Sequence, residues 1–420
     1  MPFSTICIDD PEHQGLIRDL LNLSDLVGSA QNPADKIEII FQYFDVRLIP
    51  TTDKPTQKDE RAVDLVMASL VVISGCGPHL KRSRALEARL SDAWPSLWKW
   101  LQFLDTCCQK GVFGVQFHVP SLVGISYTLS TFGASEALRR LATSTPGVIS
   151  MVSRYWLEEG QHLGIELILN TVGIHQNFTL ALDMLLQAED TAPCCLLPGI
   201  IAAAPGGAKS VARIGLLHLN NDASKKDPDF LSIYQDLSII NKLSCKSCPA
   251  IHLALLSRGI IPTVVKMLAL FNAQTTDNIN ITRCVMMCYS ILIKAFQSTN
   301  GTLWIVQAFE SGLLPTLLKY GRRLTQLDKF DRILCTTLLS DILCQYLVYR
   351  SVLRSAGKAL RRVERLNITQ DVAGPLWDGW LLFNGLAHER INFAIQVEYD
   401  DKGQNVCNRI GVSEPRSDYL

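Results

Sequence analysis

Three features of this 420-residue sequence predict an all-α fold and, within that class, an armadillo/HEAT-like solenoid of right-handed stacked helix pairs. Apolar residues recur at helical spacing along nearly the whole chain, alternating period-two runs are scarce, and one turn motif returns after 53 positions.

The spacing comes first. Trp94, Leu97, Trp98, Leu101 and Leu104 define one apolar face, and Ile333, Leu334, Thr337, Leu338 and Ile342 another. Side chains three and four apart share a side of a helix, so each set predicts a helix with one buried face. Gly and Pro fall mainly between such segments, where Gly ends one helix and Pro begins the next. The returning motif is this punctuation. Ser257-Arg258-Gly259-Ile260-Ile261-Pro262-Thr263 is echoed by Ser311-Gly312-Leu313-Leu314-Pro315-Thr316. Gly supplies the positive φ of the turn, the two aliphatics enter a core, and Pro sits where no N–H donor is needed. Ser144-Thr145-Pro146-Gly147-Val148-Ile149 lacks the second proline and lies 112 positions before Gly259 (259 − 147), about two periods away. The period exceeds the ~40–47 residues of armadillo and HEAT units.

One helical array is therefore expected over 1–400, with weak boundaries near 50–60 and 193–229 where polar or Pro/Gly-rich stretches interrupt it. A disordered tail is expected over 401–420.

Composition allows a sizeable core, at 48% hydrophobic and 19% charged residues. Forty basic residues balance forty acidic ones, so no global field gathers nucleic acid or an anionic membrane, and neither is an expected partner. Residues 1–10 lack a charged segment followed by an apolar one, and the apolar runs at 65–73 and 196–204 fall short of the ~20 residues a bilayer needs. The expected location is cytoplasmic or nuclear. The thirteen cysteines are scattered through apolar patterns, as with Cys335 and Cys344, and read as reduced core thiols.

Few residues point to chemistry. Cys245, Cys248 and His252 have metal-like spacing, but a structural zinc needs four ligands. Cys284 and Cys288 stand one turn apart in an apolar segment, among Val285, Met286 and Met287. Gly206-Gly207-Ala208-Lys209-Ser210 lacks the Gly that a phosphate loop places before its Lys. No catalytic residue and no cofactor are expected, and the chain is read as a non-enzymatic interaction protein. The alternative is a zinc-binding regulatory protein or enzyme using Cys245, Cys248 and His252.

The sharpest feature outside the apolar pattern is Arg354, Lys358, Arg361, Arg362 and Arg365, which fall on one side of a helix. Val352, Leu353, Ala356, Leu360, Val363 and Leu366 fall on the other. The cations form a candidate contact for an acidic partner. In the aromatic run 94–103, Pro95 fits the first turn of a helix; Trp94 and Trp98 share the apolar face, while Trp100 points elsewhere and is a candidate partner contact.

Trp94-Pro95-Ser96-Leu97-Trp98-Lys99-Trp100-Leu101-Gln102-Phe103-Leu104, the turn at 144–147, and Trp377-Asp378-Gly379-Trp380 leading through Ala387-His388-Glu389-Arg390 together resemble the helical region of a fungal group of MYND-type zinc-finger proteins. In that group an armadillo-like array precedes a cysteine-rich finger, and Cys407 stands where the first zinc ligand would lie. No Cys or His follows it, so the resemblance implies a member whose finger is truncated or lost, with the array as what carries over. A truncated member without function is a further alternative. The expected partners are other proteins.

Overall fold

A computed structural model describes residues 10–29, 33–51, 55–113, 115–159, 177–187, 195–245, 248–274, 278–298 and 301–410, with backbone alone at 115, 116, 177 and from 397 onward. The described residues are helices and tight turns, with no strand among them, so the fold is all-α. They group into two compact units, Met1–Ala254 and Leu255–Leu420.

The first unit contains α1 (Pro11–Ser29), α2 (Gln57–Gly75), α3 (Arg84–Lys110), α4 (Val115–Gly133), α5 (Glu136–Ser144), α6 (Val148–Glu159), α7 (Asn177–Leu185), α8 (Leu197–Ala203), α9 (Gly207–Ser224) and α10 (Phe230–Leu243). Caps fix several starts. Thr56 and Asp59 form a reciprocal capping box on α2, and Ser83, Ser135 and Asp229 accept first-turn N–H groups of α3, α5 and α10. The aromatic run is not a helix start. Pro95 lies well inside α3, which begins at Arg84 behind the Ser83 cap. The stretch 193–229, expected as a boundary, is mostly occupied by α8 and α9, which meet at 90°.

Helix follows helix in two series. α2 packs on α4, α4 on α7 and α7 on α10. Side-chain bonds tie the other series: Tyr155 on α6 donates to Asp105 on α3 at 2.5 Å, and His218 on α9 bonds the Trp156 carbonyl on α6 at 3.0 Å. These pairs lie 50 and 62 positions apart, and Lys242 reaches Asp183 across 59.

α11 (Pro249–Ser257) contains the division between the units. The second unit holds α12 (Ile260–Ala273), α13 (Ile279–Phe296), α14 (Gly301–Glu310), α15 (Leu313–Tyr320), α16 (Lys329–Thr337), α17 (Arg350–Glu364) and α18 (Trp377–Ile410). Its bonds keep a similar separation: Asn272 to the Thr316 carbonyl spans 44 positions, Tyr346 to the Phe296 carbonyl 50, and Arg362 to the Glu310 carbonyl 52.

The left-handed glycines are the clearest repeated element. Gly147, Gly206, Gly259 and Gly312 have φ of +93°, +94°, +86° and +91°, and each immediately precedes a helix, α6, α9, α12 and α15. Their separations are 59, 53 and 53 positions (206 − 147, 259 − 206, 312 − 259). Gly206 thus stands between Gly147 and Gly259, the place the sequence comparison left as a double period. It turns a helix pair and begins no phosphate loop.

Two further expectations change. By length and composition, the segments Gln57–His79 and Ile279–Phe296 are apolar enough to cross a membrane, which the shorter apolar runs did not predict. Val66, Leu70 and Ile73 of the first and Val285 and Leu292 of the second lie wholly within the cores of their units. The last helix continues to Ile410, so its backbone is helical over half of the expected tail, and 411–420 lie outside the described residues. Cys335 and Cys344 are buried as expected, and burial pushes the Cys344 thiol up to about 11.

Candidate functional site

Helix α17 is built to be wetted on one side only. Val352, Leu353, Ala356, Ala359, Leu360 and Val363 are buried, while Arg354, Lys358, Arg361 and Arg362 are exposed, with Arg365 exposed as the C-cap. The sequence places the cations correctly because amphipathicity is a local property of a single helix. Leu366 departs from its expected apolar face and is 44% exposed, since the helix stops at Glu364 and the backbone leaves the helical phase.

The five cations are not equivalent. Arg362 Nη1 donates to the Glu310 carbonyl at 3.0 Å, satisfying an acceptor at the C-terminal end of α14. Arg354, Lys358, Arg361 and Arg365 have no carboxylate partner among the described residues.

Alongside lies α18, which buries Trp380, Phe383 and Ala387 and exposes Leu381, Leu382, Phe393 and Ile395. Where α17 meets it, Ile391 Cδ1 stands 3.4 Å and Arg361 Nη1 4.0 Å from the point a Cβ on Gly357 would occupy. His388 Nε2 lies 3.9 Å from Glu364 Oε1. The sequence reading missed this second bank. Its signal was present as Leu381, His388 and Ile395, each seven positions from the next.

Trp100 does not join the surface. Its side chain is fully buried, edge-on to Phe103 with ring centroids 5.6 Å apart. Leu97, Trp98, Trp100, Leu101 and Leu104 are all buried, so α3 is covered on more than one face and the one-face assignment fails for it. Cys245 and Cys248 are half-buried and His252 is buried. Among the described residues no three His, Cys, Asp or Glu side chains come together to hold a metal ion, so this trio lacks companion ligands there. The Cys407 side chain lies outside the described residues.

No family model, curated protein or solved structure matches this chain.

Two other polar groupings in the first unit are committed to holding helices. A cleft lined by Trp98, Gln102, Thr106, Ser150 and Arg154 contains a guanidinium already bound to Asp105. Deeper, Glu159 accepts from the backbone N–H of Thr179 at 3.1 Å, and Lys242 donates to the Asp183 carboxylate at 2.6 Å and to its carbonyl at 2.9 Å. His218 stacks on Trp156 at 5.6 Å. Burial lowers the His218 and Lys242 pKa values, against the opposing pull of the Trp156 carbonyl and of Asp183.

Proposed function

We propose that the chain is a non-enzymatic interaction scaffold, an armadillo/HEAT-like solenoid of right-handed helix pairs that receives an acidic segment of a partner protein on α17. The recurrence of left-handed glycines and of cross-helix bonds at about fifty positions supports stacked units. The partner surface rests on one observation: Arg354, Lys358, Arg361 and Arg365 stand exposed and without a carboxylate. A helix needs a solvated face, yet these cations, with Glu364 as the one exposed carboxylate on their helix, repel one another until an anion covers them. The resemblance to the helical region of MYND-type proteins is retained in this reading, as is a cytoplasmic or nuclear location. No comparable observation favours the zinc alternative on Cys245, Cys248 and His252.

The test is partner capture by the full chain and by an Arg354→Glu/Lys358→Glu/Arg361→Glu variant, with circular dichroism to confirm that both fold. Arg362 is left alone because it holds α14. Capture should fall about tenfold on charge reversal and weaken with added salt. An unchanged set of partners in the folded variant overturns the assignment.

A further inference from the structure

The contacts between α17 and α18 set their direction. Gly357 faces Ile391, while Glu364 faces His388; as one number rises the other falls, so the two helices run antiparallel. On α18, positions seven apart drift by only about 20° around the axis. Leu381 and Ile395 therefore share a stripe with His388, the residue that reaches α17, and they are 50% and 47% exposed. Between them, a Cβ on Gly385 would meet nothing within 4 Å. Gly357 also lacks a side chain, but Ile391 Cδ1 fills the space beside it, so the two helices meet in a closed seam with an exposed row on either side. One bank carries Arg354, Lys358, Arg361 and Arg365; the other carries Leu381, His388 and Ile395.

We propose that these two exposed rows receive an acidic amphipathic helix of a partner protein, its carboxylates on the α17 cations and its aliphatic side chains between Leu381 and Ile395. This rests on the acidic-partner reading and adds the partner's secondary structure and its apolar flank. Charge complementarity selects an anion, and the neighbouring aliphatic bank selects one with an apolar side. Nucleic acid would leave the aliphatic bank unused, and no aromatic ring stands on the stripe for a base to stack on. No described strand offers an edge to an extended peptide. The stripe from Leu381 to Ile395 is about 21 Å long at ~1.5 Å per residue, matching a partner helix of about four turns.

Fluorescence anisotropy on the full chain decides it. The probe is a labelled peptide of about four helical turns with Glu along one flank and Leu along the next; its control has the same residues shuffled so that neither flank forms. The designed peptide should bind about tenfold tighter than the control, and Leu381→Ser/Ile395→Ser should remove that advantage. Both positions are exposed, and circular dichroism checks the fold. Lys358→Glu/Arg361→Glu should weaken both peptides. Equal binding of the two peptides, no binding of the designed one, or no effect of the serine pair sinks the inference. If either peptide still depends on the cations, the acidic-partner reading survives that result. If neither responds to Lys358→Glu/Arg361→Glu, both readings fall. Tighter binding to phosphatidylserine vesicles or to a single-stranded RNA oligonucleotide than to the designed peptide overturns the choice of a protein helix.

Discussion

Gly206 and Gly259 hold the same left-handed backbone, φ +94° and +86°, at equivalent turns 53 positions apart (259 − 206). Gly312 repeats it at +91°, and a Cβ there would meet nothing within 4 Å, so a substitution is opposed by backbone strain alone. Gly312→Ala should lower stability by about 1–2 kcal/mol, and Gly312→Asn by less, because Asn tolerates this region. Gly321 has an ordinary φ of −51°, but a Cβ there would run into the Ala373 carbonyl. Gly321→Ala should cost more than Gly312→Ala, and Asn at 321 should be worse still. Urea midpoints of the four variants check the contrast. Equal losses at both glycines would show that strain and collision had been misassigned.

Asp236 makes stability depend on pH. Burial raises its pKa well above the usual carboxylate value, with Asp222 and Glu159 adding to the effect, and neither oxygen has a hydrogen-bond partner among the described residues. A raised folded pKa means that the folded state holds the proton more tightly. Its stabilising contribution is complete below the unfolded value of about 4 and is lost as pH rises through the folded value. Asp236→Asn stays neutral throughout, so its stability relative to the parent should improve steadily from pH 5 to pH 8. Asp64 beside His13 behaves similarly over a narrower window, since burial pushes it up to about 7. Asp64→Asn should therefore complete most of its relative gain near pH 7. Thermal midpoints across that range decide both, and a flat Asp236→Asn difference would exclude a buried neutral carboxyl.

What could be read in advance was whatever a single helix decides. The α17 face follows from Arg354, Lys358 and Arg361 alone, and the Gly259 and Gly312 turns follow from local steric limits on φ. Gly206 escaped because its turn lacks the trailing proline and sits in a run of small residues, although its backbone is the same. Trp100 and the α18 bank escaped for a different reason. Which side of a helix is covered depends on elements distant in sequence: α3 is enclosed on more than one face, whereas α18 keeps Leu381 and Ile395 in the open.

Trp100 offers the direct check on that enclosure. Its ring is wholly buried against Phe103, and its Nε1 has no acceptor among the described residues. Trp100→Ala should lower stability by about 3–5 kcal/mol through lost burial and the cavity left behind. Trp100→Phe should cost less, because it removes the unpaired N–H along with part of the volume. In the Phe variant, partner capture should match the parent chain. A binding loss in folded Trp100→Phe would restore the role the sequence assigned to this residue.

Arg361 and Arg362 are neighbours with separate tasks, and the pair tests whether the basic face is one surface. Arg362 bonds the Glu310 carbonyl across 52 positions, while Arg361 lies over Gly357 beside Ile391. Arg362→Ala should destabilise the fold by about 0.5–1 kcal/mol, the modest value of an exposed charge-assisted bond. Arg361→Ala should leave the urea midpoint nearly unchanged, since no bond is lost. Binding of an acidic peptide should reverse the order, falling more for Arg361→Ala because only that guanidinium is free to meet a carboxylate. Lysine substitutions refine the point: Arg361→Lys should keep most of the binding, while Arg362→Lys should recover stability only if the ammonium can still reach the Glu310 carbonyl. If both alanine variants lose binding equally with no loss of stability, Arg362 belongs to the contact surface and its bond to α14 carries no weight in solution.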